Sequence, residues 1–109
     1  VVADQTCTPT YTVDLADAVV KLIVTWKHGL YHITSGGSCT WHELAIAIFR
    51  LSNMDVNVTP ISTAEFGAAA RRPAYSVLSN AKLAAAGVTP PREWKAALAA
   101  YLEERKSKQ

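Results

Sequence analysis

Short β-prone runs alternate with longer amphipathic segments along this chain, and this alternation constrains its fold more than any other feature. The β-prone runs lie at residues 1–5, 30–34 and 55–61, and segments with helical spacing separate them. Strands connected through helices normally pair in parallel, and a parallel sheet needs helices on both of its faces. Three short strands are too few for that arrangement. The pattern therefore predicts an α/β fold: a small, helix-rich domain with short, mostly parallel strands that extend a sheet whose remainder lies outside this chain.

Two helix-opening signals stand in the first half of the chain. Apolar residues at helical spacing predict a helix that begins with Thr12 or Asp14 as its N-cap and ends at Gly29. Further along, Thr40 and Glu43 form a capping box, in which each residue binds the backbone N–H of the other. The helix that follows is apolar on most of its faces, so we expect it to be largely buried.

Similar signals mark three later helices. A second capping box opens a single short turn at Ser62. Asn80 is predicted to cap a helix over residues 81–86, which Gly87 ends in a left-handed conformation. Pro90-Pro91 is predicted to preset the first turn of the last helix. The apolar stripe of that helix comprises Trp94, Ala97, Leu98, Tyr101 and Leu102.

Charge and cysteine usage narrow the class of partner. The chain has 109 residues, a length that predicts one domain over residues 1–109. Its formal net charge of +2 is too small to predict a nucleic-acid-binding surface. The excess of Lys and Arg at residues 105–108 is interpreted as compensation of a helix dipole. The longest apolar stretch, residues 18–24, is too short to cross a bilayer. Cys7 and Cys39 are too few for a disulfide framework, so we expect buried, reduced thiols and a cytoplasmic location.

Motifs for metal binding and for nucleophilic catalysis are weak. His28 and His32 have a spacing that converges on a metal only within a helix, whereas a strand is predicted there, so we expect no metal site. Residues 35–40 hold two glycines before a helix start, where backbone amides can hold an anion. They lack the spacing of a dinucleotide fingerprint and the lysine of a P-loop, so a plain strand-to-helix turn is favoured. No nucleophile elbow is present.

The most distinctive polar motif is the arginine loop, residues 71–73, which places two adjacent guanidiniums beside Pro73. Arginine offers a planar fork of donors that suits phosphate oxygens, so the loop is either a diphosphate clamp or a solvated pair of side chains. Tyr11 and Tyr75 each lie in a loop beside a polar motif. Their rings either stack on a base or sugar or pack within turns.

The order and spacing of several short motifs resemble those of one family. The motifs are Asp4-Gln5, Pro9-Thr10-Tyr11, Asp14-Leu15-Ala16, Gly29-Leu30-Tyr31-His32, Thr40-Trp41, Arg72-Pro73, Ser76-Val77-Leu78 and Lys82-Leu83. Together they closely resemble the dTDP-4-dehydrorhamnose reductases, which are extended short-chain dehydrogenase/reductases. The resemblance covers essentially the whole chain and corresponds to the C-terminal, substrate-binding part of those proteins. It implies a fragment of a longer reductase, consistent with a start inside a predicted strand without a methionine, and a missing sheet of Rossmann type.

The resemblance also implies how the work of such an enzyme is divided. The parent protein would reduce a 4-keto nucleotide sugar with NADPH or NADH in dTDP-L-rhamnose biosynthesis. Its cofactor fingerprint and catalytic Tyr-x-x-x-Lys would lie in an N-terminal Rossmann portion, the expected partner of this chain. None of the four tyrosines here has a lysine four positions later. We therefore expect no catalytic and no cofactor-binding residue in this chain, and no reductase activity from it alone.

Substrate binding is what the resemblance assigns to these residues. Arg71 and Arg72 would approach the nucleotide diphosphate, Gln5 and Thr10 would face the sugar, and Tyr75 completes the predicted set. An unpaired strand edge would favour a homodimer. Two alternatives stay open: a stand-alone, non-catalytic binding or assembly module, and the same module of another nucleotide-sugar reductase or epimerase.

Overall fold

Helices form most of the regular structure in the computed structural model, which describes residues 1–107. The elements in chain order are β1 (Thr6–Cys7), α1 (Thr12–Ile23), β2 (Cys39–Thr40), α2 (Trp41–Leu51), α3 (Thr63–Phe66), α4 (Ala81–Ala85) and α5 (Trp94–Ser107). This is the predicted small, helix-rich α/β domain. Lys108, which the sequence assigns to the basic tail, lies outside the described residues, whereas Arg105 and Lys106 occupy the last turn of α5 as expected.

The strands are shorter than predicted and differ in position. β1 pairs with β2 in antiparallel register, although residues 6 and 7 were predicted as a loop. Parallel pairing occurs at isolated bridges, which join Val2 to Ile61, Thr6 to Tyr75 and Gly36 to Glu93. The predicted strands at 1–5 and 55–61 are therefore wrong except for one bridging residue each, and residues 30–34, all of them described, form no strand. A strand needs a neighbour for its backbone hydrogen bonds, and this chain supplies little of one.

The ends of α1 correct the sequence prediction. Tyr11, rather than Thr12 or Asp14, occupies the N-cap position, and its side chain makes no capping hydrogen bond within the described part of the chain. The helix ends at Ile23, well before Gly29. The Thr25 hydroxyl donates to the Leu22 carbonyl at 2.7 Å. A competing side-chain bond of this kind favours an end to the helix.

Helix α2 confirms one prediction and overturns another. The capping box between Thr40 and Glu43 is present in both directions. However, no residue of α2 is buried, although the structure describes the whole helix. Its main packing partners among the described elements are β2 and α5, and its residues stay half-buried or exposed. The expectation of a largely buried helix was wrong because apolar composition alone does not supply packing partners.

A cluster of buried apolar side chains lies in α4, in the turn after it and in the first turns of α5. We call it the C-terminal core; it comprises Leu83, Ala86, Val88, Trp94 and Ala97. Gly87, with φ of +90°, ends α4 as predicted and turns the chain so that the Val88 N–H donates to the Leu83 carbonyl.

Two details of this region differ from the sequence prediction. The side chain of Asn80 makes no capping bond to α4 within residues 1–107. Helix α5 begins at Trp94, beyond the first turn predicted at Pro90-Pro91. The Trp94 N–H donates to the Gly36 carbonyl. Of the predicted stripe, Trp94 and Ala97 are buried, whereas Tyr101 is exposed. Within residues 1–107, no helix combines the length and the apolar character needed to cross a membrane.

Candidate functional site

An open cleft of about 730 Å³ lies beside the N-terminal segment and unites two of the predicted site residues. Its walls are Val1, Val2, Gln5, Trp41, Phe66, Ala68, Ala69, Ala70 and Arg72. One wall is therefore the strand-like start of the chain, another is the first residue of α2, and the third follows α3. The cleft brings Gln5 and Arg72 together although they are far apart in sequence.

Gln5 is held in the cleft by a group of bonds at the start of α3. Its side-chain amide is buried and donates to the Thr63 hydroxyl at 3.1 Å. The Asp4 carboxylate accepts from the Thr63 hydroxyl at 2.6 Å and from the Thr63 N–H at 2.9 and 3.0 Å. Hydrogen bonds from the side chain and then the backbone of Thr63 lower the pKa of Asp4. These contacts fasten the N-terminal segment to the wall that precedes the arginine loop.

The arginine loop is exposed and is anchored only at its flanks. Upstream, Gly67 ends α3 in a left-handed conformation, with φ of +66°. Downstream, the Ala74 carbonyl accepts from the Thr6 N–H at 2.7 Å. Arg72 lines the cleft, whereas Arg71 does not. Neither arginine forms an ion pair within residues 1–107. Two cationic groups thus stand beside the cleft without a carboxylate to neutralise them.

The two remaining predicted residues lie apart from this cleft. Tyr75 is 67% exposed and pairs through its backbone with Thr6. Thr10 lines a different, apolar cavity of about 240 Å³ between the start of α1 and helices α2 and α5. Its hydroxyl accepts from the Ser35 N–H at 3.2 Å and lies 3.1 Å from the Thr34 hydroxyl. The structure therefore separates Thr10 from Gln5 and gives its hydroxyl partners within the fold.

Sequence reasoning missed two aromatic residues of the cleft. Trp41 belongs to the helix that was expected to be largely buried, yet it is 44% exposed and lines the cleft. Phe66, at the end of α3, is 61% exposed and lines it too. The available signal for Trp41 was its position directly after the capping Thr40, because a first-turn residue at a helix end has few neighbours. The cleft therefore presents aromatic surface next to an amide and a guanidinium.

The glycine turn at residues 35–38 does not fit a dinucleotide cofactor. The Gly36 N–H donates to the Arg92 carbonyl at 3.1 Å, so this amide already has a partner. A Cβ atom added at Gly37 would lie 3.3 Å from the Glu93 carboxylate oxygen. A diphosphate in this position would meet a negative charge. The turn is instead a packed connection to the start of α5, and its residues do not suit the diphosphate of NADP.

Metal ligands do not converge in the part of the chain that the structure describes. No group of three or more His, Cys, Asp or Glu side chains is placed to hold an ion within residues 1–107. His28 and His32 are both exposed, and His42 bonds through Nε2 to the Val58 carbonyl at 3.0 Å.

Comparison with known proteins confirms the resemblance seen in the sequence. The SpsK spore coat polysaccharide biosynthesis protein of Bacillus subtilis (strain 168) is 46% identical over 107 residues, covering 98% of this chain and 37% of that protein. A dTDP-4-dehydrorhamnose reductase from Bacillus anthracis, solved in complex with NADP, is 46% identical with a TM-score of 0.92; the match covers 95% of this chain and 37% of that one. A dTDP-4-dehydrorhamnose reductase from Clostridium acetobutylicum is 46% identical with a TM-score of 0.93; the match covers 97% of this chain and 38% of that one.

The chain thus spans little more than a third of the length of these relatives. The sequence model of the RmlD substrate-binding domain matches residues 1–107, which is nearly the whole chain. This chain belongs to the RmlD substrate-binding domain family.

Proposed function

We propose that this chain is the substrate-binding domain, residues 1–109, of an NAD(P)H-dependent dTDP-4-dehydrorhamnose reductase of dTDP-L-rhamnose biosynthesis. The observation that carries the proposal is the cleft in which buried Gln5, two exposed aromatic rings and the unneutralised Arg72 meet. A nucleotide sugar needs these three kinds of surface: hydrogen-bonding groups for hydroxyls, aromatic faces for a base, and cations for a diphosphate.

The electrostatic part of binding falls to the arginine loop. Arg72 lines the cleft and Arg71 stands next to it, so both guanidiniums can reach one diphosphate at the cleft mouth. Each contact joins a permanent cation to a phosphate oxygen, which makes it stronger than a neutral hydrogen bond. Tyr75 adds an exposed ring on the segment that follows the loop.

Recognition of sugar and base falls to the opposite walls. Gln5 is buried and fixed through Thr63, so its amide is already oriented before a sugar hydroxyl arrives. Trp41 and Phe66 offer faces for the thymine ring. Thr10 acts at a distance from the sugar, because its hydroxyl holds residues 34 and 35.

The chemical step belongs to the rest of the natural-length protein in this proposal. NADPH, bound by an N-terminal Rossmann portion, would supply the hydride, and no step of that chemistry is assigned to residues of this chain. The contribution of this chain is to hold the nucleotide sugar in one orientation, which lowers the entropic cost of reaction. A reductase of this kind would work in the cytoplasm, where free thiols such as Cys7 and Cys39 persist. Homodimerisation through the short strand edge completes the proposal.

Titration calorimetry of the natural-length protein with dTDP and with thymidine tests the site. Arg71→Ala and Arg72→Ala should each weaken dTDP binding by about 1.5 to 3 kcal/mol, the range for a hydrogen bond to a charged group. Thymidine binding and Tm should stay unchanged, because neither arginine forms an ion pair with residues 1–107. Arg105→Ala, in the last turn of α5, is the matched control and should leave dTDP affinity intact. Equal dTDP affinity in all variants would exclude the clamp.

A kinetic measurement separates the reductase from a non-catalytic binding module. The natural-length protein should oxidise NADPH only when a dTDP-4-keto sugar is added, and the arginine variants should raise KM for that sugar. Binding of dTDP without ketone-dependent oxidation of NADPH would instead identify a binding module.

A further inference from the structure

The two cysteines of the chain stand directly opposite each other. In the antiparallel pair of β1 and β2, Cys7 is aligned with Cys39. Directly opposed residues project from the same face of a sheet, and their Cα atoms lie about 4.5 to 5.5 Å apart. A disulfide requires a Cα separation of about 4.4 to 6.8 Å, so either kind of antiparallel pair satisfies it. The backbone therefore already has the spacing that a disulfide needs.

The environments of the two thiols differ in a way that gives each a separate role. Cys39 is buried, with 1% of its surface exposed, whereas Cys7 is only half-buried. A dissolved reagent can reach Cys7 and cannot reach Cys39 directly.

We propose that Cys7 and Cys39 form a reversible intrachain disulfide by exchange with a small-molecule disulfide such as oxidised glutathione. The Cys7 thiol loses its proton and attacks one sulfur of glutathione disulfide, releasing one glutathione thiolate and leaving a mixed disulfide on Cys7. The Cys39 thiol then loses its proton and attacks the Cys7 sulfur, which releases the second glutathione. The protein gives up two electrons and two protons, and glutathione disulfide becomes two molecules of glutathione.

The thiols resist this exchange at neutral pH. Burial raises the pKa of the Cys7 thiol, and burial, followed by the charges of Cys7, Glu43 and Glu93, raises the pKa of Cys39 to about 12. Because the thiolate is the reacting form, these raised pKa values slow the exchange at neutral pH and leave its equilibrium to the redox buffer.

The disulfide would lie next to the candidate cleft. Gln5 comes just before β1 and Trp41 just after β2, and both line the cleft. A covalent link between the strands would fix the separation of these two walls. The inference rests on the strand register alone, so it stands or falls independently of the proposed function.

Peptide mapping of the natural-length protein in glutathione redox buffers tests the proposal. After acid quenching and alkylation, a peptide that links Cys7 to Cys39 and lacks two hydrogen atoms should appear, and dithiothreitol should remove it. At the midpoint, half of the protein carries the Cys7–Cys39 disulfide, and the ratio [GSH]²/[GSSG] is measured there. This ratio should be at least about tenfold higher for the folded protein than for the protein in guanidinium, because folding holds the sulfurs together. An equal or lower value would overturn the proposal.

Two variants check the order of attack. In Cys39→Ala, a glutathione adduct on Cys7 should accumulate because no second thiol displaces it. In Cys7→Ser, Cys39 should stay unmodified in the folded protein, since it is buried. A wild-type protein that carries only a stable glutathione adduct on Cys7 would also overturn the proposal, because its resolving thiol would then be inactive.

Discussion

The C-terminal core and the arginine loop lie at opposite extremes of burial. Leu83 has no exposed surface and Trp94 only 4%, whereas both arginines of the loop are exposed. Backbone bonds around the end of α4 and the start of α5 hold the core residues, whereas within residues 1–107 the backbone bonds of the loop lie at its flanks. This difference in burial indicates that stability and ligand binding reside in separate parts of this chain. Substitutions in one region should therefore leave the property of the other unchanged.

Truncation of Leu83 should give the largest change in the free energy of unfolding, and it should separate stability from dTDP binding most clearly. Leu83→Ala should lower the free energy of unfolding by about 2 to 5 kcal/mol, because it removes a fully buried side chain and leaves a cavity. Urea unfolding followed by tryptophan fluorescence measures this loss. At urea concentrations where the variant is still folded, dTDP affinity should match that of the wild type.

Leu30→Ala is the matched control, since Leu30 is 75% exposed. It should change the free energy of unfolding by less than about 0.5 kcal/mol, as exposed positions usually do. If both leucine variants lose the same stability, the C-terminal core does not carry the fold.

A smaller loss of stability is expected from the Asn80 side chain, which joins the start of α4 to Thr34. The Asn80 side chain accepts from the Thr34 N–H at 3.0 Å and donates to the Thr34 carbonyl at 2.7 Å. Asn80→Ala should cost about 1 to 3 kcal/mol, because it leaves two backbone groups of buried Thr34 unpaired. Hydrogen exchange of the Thr34 amide should accelerate in the variant.

Ser79→Ala provides the comparison for Asn80. The Ser79 hydroxyl accepts from the Ala81 N–H on an exposed surface, so its loss should leave exchange at Thr34 unchanged. Unaltered protection of Thr34 in Asn80→Ala would show that the paired bonds do not stabilise this junction.

The fate of Asn80 shows which parts of the fold the sequence can predict. The capping boxes at Thr40 and Ser62 were predicted correctly because both partners lie within one helical turn. Asn80 was read as a cap by the same local rule, yet its partner Thr34 is 46 positions away. The predicted strands at 30–34 and 55–61 failed for a related reason, since strand formation depends on a neighbour that no local pattern specifies.

The candidate site was predictable in part. Arg72 and Gln5 were selected by motif and do meet at one cleft. Trp41 was missed because its helical spacing matched that of core residues, whereas its place as the first residue of α2 leaves it 44% exposed. Thr10 was assigned to the same site as Gln5 from the order of the motifs. Its hydroxyl instead contacts the Thr34 hydroxyl, and its side chain lines a different cavity. Motifs identify residue types, and long-range contacts decide which of them share a surface.

The smallest expected effect concerns Asp4, which anchors the cleft wall without touching the C-terminal core. Hydrogen bonds from Thr63 lower the pKa of Asp4 below its ordinary value of 3.8, so the carboxylate is favoured in the folded state. Its contribution to stability is therefore fully present above the unfolded pKa and is lost as the pH falls through the folded pKa. Asp4→Asn should consequently make the Tm less sensitive to pH in the acid range.

Thermal unfolding followed by circular dichroism between about pH 6 and pH 2 measures this difference, since the ordinary carboxyl pKa lies within that range. Asp55→Asn is the control, because Asp55 is exposed and lies outside both regions, and it should preserve the acid slope of the wild type. The Asp4 variant should also bind a dTDP-sugar less tightly, since Thr63 is the residue that orients Gln5. An acid slope equal to that of the wild type would mean that Asp4 does not fasten this wall. The cleft would then keep its shape through backbone bonds, such as those that join Ala3 to Ile61 and His42 to Val2.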